Sequence, residues 1–253
     1  LGNQSYGFTL RNKKQVKARQ IGDRRLKTAT QPGANNDKAT AGTPAHEQVY
    51  QKLRAQILFG EITPGQAVTI QGLTASLDAG MTPVREAIRR LISDGALVFK
   101  GNRRVSVPLL TESDVEQIYY LRNSIEYELT RRAVEHVTAP VLAELEQIDA
   151  DLDDAISAGD VRRYLERNYQ FHSTLYAVAH APIMEELADR LWLRFGPSLR
   201  VVCGRFGTQS LPDRHKDLLS GLHDRNPEAA ANAILLDIQQ GMDQILTVLD
   251  TSN

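Results

Sequence analysis

The sequence predicts a mainly α-helical protein in two parts: a small N-terminal head of three helices and a hairpin, then a C-terminal bundle made only of helices. Apolar residues recur every three or four positions through most of the chain after residue 44, the period of a helix with one buried face. Proline follows a capping Thr or Asn at Thr43-Pro44, Thr82-Pro83 and Asn226-Pro227, the mark of a helix start. Charge is also divided. Residues 1–44 hold nine Lys/Arg against two Asp/Glu, residues 45–110 hold eight against five, and residues 111–253 hold thirteen against twenty-four. The net charge of -1 conceals a basic front and an acidic rear, so only the front is suited to a polyanion.

With 42% hydrophobic, 24% charged and 6% aromatic residues, the 253-residue chain has enough apolar material for a core, and disorder throughout is excluded. No apolar run approaches the roughly 18–20 residues that span a bilayer, and residues 1–15 lack the apolar stretch of a secretory signal, so a cytoplasmic protein is expected. The lone Cys203 forbids an intrachain disulfide and a cysteine zinc cage, and reads as a small buried hydrophobe. Residues 1–42 are basic and lack a sustained apolar period. They read as a flexible tail, either an arm that tracks DNA phosphates or a solvated extension.

The head occupies residues 43–108. Val49, Leu53 and Ile57 mark the buried stripe of a first helix that ends near Gly60. After a turn at Thr63-Pro64-Gly65, Thr69 caps a short second helix with Leu73 and Leu77 inward, and Ala79-Gly80-Met81 ends it. Thr82-Pro83 then opens a third helix running to about Gly95. Val84, Ala87, Ile88 and Leu91 share its inner face, while Arg85 and Arg89 lie together on the outer one. A cation in the first helical turn opposes the macrodipole by about 0.3–1 kcal/mol. Arg85 is therefore a poor choice for stability and a good one beside a phosphate or a guanine edge. Short β-branched segments at 96–100 and 104–108 flank Gly101-Asn102-Arg103 and predict a hairpin with a basic tip.

Helix, helix, turn, helix, hairpin is the order of a winged helix-turn-helix. The string Thr82-Pro83-Val84-Arg85-Glu86-Ala87-Ile88-Arg89-Arg90-Leu91, followed by Asp94-Gly95-Ala96-Leu97-Val98, resembles the signature of the GntR family of bacterial transcription regulators. The resemblance covers about residues 45–108 and implies DNA contact by Thr82, Arg85 and Arg89, with Arg103 and Arg104 in the wing. Two positions depart from the family pattern. Met81 stands where an arginine is usual before Thr-Pro, and Arg103 or Arg104 stands where the wing often has glycine.

Residues 111–250 predict six helices. Thr111 or Ser113 opens the first, in which Val115, Ile118, Ile125 and Leu129 form an apolar face that Arg122 shares. A buried guanidinium needs an anion, either Glu126 one turn on or the carboxylate of a bound ligand. Further helices are expected near 140–157, 160–180, 182–203, 211–224 and 227–249. Three of them set polar residues into apolar faces: Asn168 and His172 in line with Leu165 and Leu175, His215 with Leu218 and Leu222, and Asp237 with Ile234 and Ile238. Each such group needs a partner, either in a hydrogen-bonded cluster or on one divalent ion. Imidazoles with a carboxylate suit zinc, nickel or manganese.

The same positions resemble the FCD domain, the effector-binding half of the FadR branch of the GntR family. That domain carries Asp-x3-His on one helix and two histidines 22 residues apart; here the matching residues are Asn168, His172, His215 and Asp237, and the spacing is kept. The resemblance implies a homodimer on palindromic double-stranded DNA, no enzymatic activity, and a small carboxylate effector for which Arg122 holds a second anionic group. Two rival readings come from the residues alone. His223-Asp224, with His172, His215 and Asp237, is the material of a helical metal-dependent hydrolase, and Met81 suits a small-molecule-binding bundle that no longer reads DNA.

Overall fold

A computed structural model of the chain describes residues 44–100, 104–207 and 214–250, apart from the side chains of Phe206 and Asp250. The tail at 1–42, Thr43 and the wing-tip Arg103 lie outside the described residues. The head comprises α1 (Ala45–Leu58), β1 (Ala67–Val68), α2 (Ile70–Leu77), α3 (Met81–Ser93), β2 (Val98–Lys100) and β3 (Arg104–Ser106). The bundle comprises α4 (Glu112–His136), α5 (Ala139–Ala158), α6 (Val161–Ala177), α7 (Pro182–Phe206), α8 (Arg214–His223) and α9 (Pro227–Asp250).

The head forms as its apolar pattern requires. Leu53 and Ile57 of α1 are fully buried against Val84 and Leu91 of α3. The Thr69 hydroxyl accepts from the Gly72 N–H and starts α2, and Asp78, at φ 48°, ends it in the left-handed region. Two details differ from the sequence expectation. Gly80, not Thr82, holds the cap position of α3, so Met81 and Thr82 are already helical and no side chain caps this end. The hairpin also gains a third strand: Ala67 and Val68 pair antiparallel with Ser106 and Val105, giving the sheet order β1-β3-β2. A strand of two residues is too short to show a period.

In α4 a reciprocal capping box joins Thr111 and Asp114. The helix then delivers Val115, Ile118, Arg122, Glu126 and Leu129 to the interior. Helix α7 is the central piece. It runs through an internal Pro197, carries Trp192, Leu193 and Phe195 into the bundle core, and meets the end of α1 at Gly196. A Cβ at Gly196 would stand 2.7 Å from the Leu58 carbonyl oxygen, and one at Gly60 (φ +67°) would stand 2.4 Å from the Arg200 Cβ. Only glycine at both places lets head and α7 touch backbone to backbone. The buried apolar core accordingly runs without a break from Val49 in the head to Val248 in α9.

Candidate functional site

Two places carry functional side chains, and they are built on opposite principles. On α3 the inner residues Val84, Ala87, Ile88 and Leu91 are buried, and Thr82, Arg85, Glu86 and Arg89 are exposed. Arg90 is taken up in the head itself, bonding Glu47 at 2.7 Å and lying over the Tyr50 ring at 3.6 Å. Arg85 and Arg89 have no such partner among the described residues. They stand one turn apart with Met81, 54% exposed, one turn before them. Arg104 is exposed at the start of β3, the second strand after this helix, where the wing is expected.

The second place lies inside the bundle. His172 on α6, His215 on α8 and Asp237 on α9 converge so that one ligand atom from each lies within 4.8 Å of the others. His172 Nε2 is 3.3 Å from Asp237 Oδ2, and His215 Nε2 is 4.0 Å from Asp237 Oδ1. Both histidines are almost wholly buried.

The outer nitrogens of the two rings are occupied in a way that settles their tautomers. Tyr176 donates its hydroxyl to Glu126 at 2.5 Å, so toward His172 Nδ1, 3.1 Å away, it can only accept. His215 Nδ1 faces the buried carboxylate of Asp149 at 3.2 Å, which also only accepts. Each Nδ1 therefore carries a proton, and each Nε2 is the nitrogen left facing Asp237. His172 Nε2 is buried and makes no hydrogen bond. Burial lowers the pKa of His172 against the pull of Asp237. Burial raises that of Asp237, but His172, His215 and Arg122 outweigh it and hold the carboxyl at about 2. Two imidazole nitrogens and a carboxylate thus face one another from three helices, a donor set suited to a divalent cation once both rings are neutral. The 3.3 Å edge is close to that of two donors about 2.1 Å from a shared ion, and the 4.0 Å edge from His215 to Asp237 would have to shorten for all three to hold it.

Asn168 sits one turn before His172 and lines a cavity of about 40 Å³ with Asp237, Arg122, Tyr164, Trp192 and Gln240. Arg122 reaches it as α4 was expected to deliver it, yet its charge is already matched. Its Nε and Nη2 bond Glu126 at 2.6 and 3.0 Å, Nη1 has the Met242 sulfur at 3.8 Å, and Phe195 covers the guanidinium at 4.2 Å. Of the two anions foreseen for Arg122, the one present is Glu126.

Three residues of this site were missed from sequence. Asp149 falls on the buried stripe of α5 with Leu145 and Leu152, and Tyr176 lies one turn beyond His172, so each is visible as a polar intrusion while the helix it pairs with is not. Trp192 showed nothing, since a tryptophan on an apolar face is the ordinary core pattern. His223 ends α8 and bonds Glu146 at 2.6 Å in the open, and neither it nor Asp224 joins the His172, His215 and Asp237 group. That removes the material of the hydrolase reading.

Comparison with known proteins agrees with both halves. The family model described as bacterial regulatory proteins, gntR family, matches residues 45–107, and the FCD domain matches residues 117–240. The HTH-type transcriptional regulator McbR of Escherichia coli (strain K12) is 28% identical over 77% of this chain and 90% of that protein. An uncharacterized HTH-type transcriptional regulator from the TAR-I ttuE-ttuC' intergenic region of Agrobacterium vitis is 30% identical over 51% of this chain and 78% of that protein. Among solved structures, E. coli McbR/YncC superposes with a TM-score of 0.74 at 27% identity, over 83% of this chain and 99% of that one.

Proposed function

The chain belongs to the GntR family of bacterial transcriptional regulators and carries an FCD domain, and from that premise we propose that a small organic acid, bound at a metal centre in the bundle, controls its grip on DNA. In this reading residues 43–108 are the DNA-binding part and 111–250 the effector-binding and dimerisation part. Two copies set their α3 helices into successive major grooves of a palindromic operator. Arg85 and Arg89, exposed and without a partner among the described residues, read base edges or phosphates, and Arg104 adds a phosphate contact from the wing. The uncapped start of α3 offers the N–H of Thr82 to the same backbone. The role expected for Arg103 falls on a residue outside the described ones.

The observation that carries the metal half is the convergence of three acceptors, His172 Nε2, His215 Nε2 and Asp237, whose outer atoms are held by Tyr176 and Asp149. His172, His215 and Asp237 would hold zinc, nickel or manganese, with the carbonyl oxygen of Asn168 available as a fourth donor from the cavity wall. A bound ion would supply a Lewis-acidic point for a carboxylate or hydroxyl of the effector. Arg122 would meet a second anionic group through Nη1, sharing its charge with Glu126. The cavity at about 40 Å³ admits little more than water, against roughly 300 Å³ for a small-molecule pocket. Effector binding must therefore open it, which is the conformational change that a regulator needs.

Elemental analysis of the protein purified without chelators or a metal column tests this directly. About one transition metal per chain, lost in His172→Ala and in Asp237→Ala, is the expected result. Metal-free wild-type protein that also fails to take up added zinc would overturn it, leaving the DNA-binding assignment intact.

A further inference from the structure

Trp192 is the one tryptophan in the chain. It lines the bundle cavity at 4% exposure, and its indole N–H is buried without a hydrogen-bond partner among the described residues. Buried donors almost always have one. Its ring leans on His172, with centroids 5.1 Å apart, and receives Tyr169 edge-on at 5.5 Å.

Tyr169 belongs to a second structure on its far side. Its hydroxyl donates to Asp189 at 2.5 Å and accepts from Arg54 Nη2 at 3.1 Å, and the same guanidinium nitrogen bonds Asp189. Arg54 comes from α1 of the head, Tyr169 from α6 and Asp189 from α7. This clasp fastens the head to α6, which carries His172, and to α7, which carries Trp192 into the cavity that Asp237 also lines. On α6 it lies beside Asn168 and three residues before His172; on α7 it lies one turn before Trp192. Inside the head, α1 is tied to α3 by Tyr50 on Asp94 at 3.0 Å and by Arg90 on Glu47.

Resting on the reading of the cavity proposed above, we infer that Trp192 senses the filling of the metal site, and that the Arg54–Tyr169–Asp189 clasp transmits this to the DNA-reading helix. A bound ion brings a hydroxide, chloride or carboxylate ligand into the cavity with it, and that acceptor gives the orphaned indole N–H a partner in some ring orientations and not in others. It therefore binds those orientations unequally, which is the condition for any shift of population. Tyr169, packed at right angles to the indole, moves with it, and its hydroxyl is one of the two anchors of Arg54. Arg54 is 14% exposed, so an intermediate position would leave a buried cation without its anion. The joint consequently has discrete closed and open states rather than a continuous range.

The test uses the full chain, stripped of metal, with zinc chloride as the probe. Three quantities are read: zinc affinity by calorimetry, Trp192 fluorescence, and amide hydrogen exchange across α1. In the wild type zinc should alter the fluorescence and change exchange in residues 45–58 at least threefold. Tyr169→Phe and Asp189→Asn keep the side-chain shapes and lie outside the ligand set. They should bind zinc within twofold of wild type and keep the fluorescence change, while the response in α1 falls below half. Trp192→Phe should bind zinc and lose the α1 response. If zinc binds the wild type and α1 does not respond, or if Tyr169→Phe responds in full, the inference is wrong and the metal site stands. If zinc does not bind the wild type at all, both fall together. Thermal melts of each variant separate a lost response from a lost fold.

Discussion

The outer face of α3 and the interior of the bundle treat charge in opposite ways. On α3, Arg85 and Arg89 are exposed and have no partner among the described residues. In the bundle, Arg122 and Glu126 are paired, covered by Phe195, and joined through Tyr176 to His172. A charge in water costs the fold nothing and can be aimed outward, whereas a charge out of water must bring its counter-charge with it. The head can therefore change what it binds by exchanging single residues. The bundle can only change in sets.

Substitutions sharpen or break that contrast. Glu126→Ala strands a buried guanidinium and removes the acceptor of Tyr176, and should cost about 3–5 kcal/mol in urea unfolding. Replacing both partners, Arg122→Met with Glu126→Leu, should recover most of the loss; a single variant as stable as wild type would show that the interior is not dry. Arg85→Ala should do the reverse, weakening binding to duplexes selected from a random pool by about 1–3 kcal/mol while moving stability by less than about 0.5 kcal/mol. A matching fall in stability would show Arg85 to be a fold residue. Thr111→Ala, at the seam between the two parts, should cost about 1 kcal/mol of stability by opening the capping box. Arg104→Ala should be the mildest, lowering the slope of log affinity against log salt by about 1 with little change at one low salt concentration.

The same contrast decides what was legible in the sequence. Apolar spacing located all three head helices and all six bundle helices, because each buries one stripe and the stripe is local. Arg85 and Arg89 were readable since a solvent-facing residue is judged against its own helix alone. His172, His215 and Asp237 could be singled out as polar intrusions on apolar faces, and the family resemblance joined them. Their supports were not readable. Asp149 meets His215 across 66 positions and Tyr176 meets Glu126 across 50, and no period records a pairing between distant helices. The start of α3 was misplaced by a cap residue because Gly80 supplies an extended backbone, at ψ 159°, that leaves Thr82 free to be helical.

The glycines at 60 and 196 bear on how such a protein can be rebuilt. The sequence invites a cut near residues 108–111, where hairpin ends and bundle begins, as though the two parts were interchangeable. In space they are fitted to each other at a distance that no side chain survives, Leu58 against Gly196 and Gly60 against Arg200. A head grafted from a relative would seat on this α7 only if it carried its own glycine at the position of Gly60, and a bundle with any larger residue at 196 would hold the head off its seat. Chimeras joined at the linear seam are thus best chosen by matching this pair of positions, and a mismatch should appear as a regulator that still folds and still meets DNA but no longer answers to what its bundle holds.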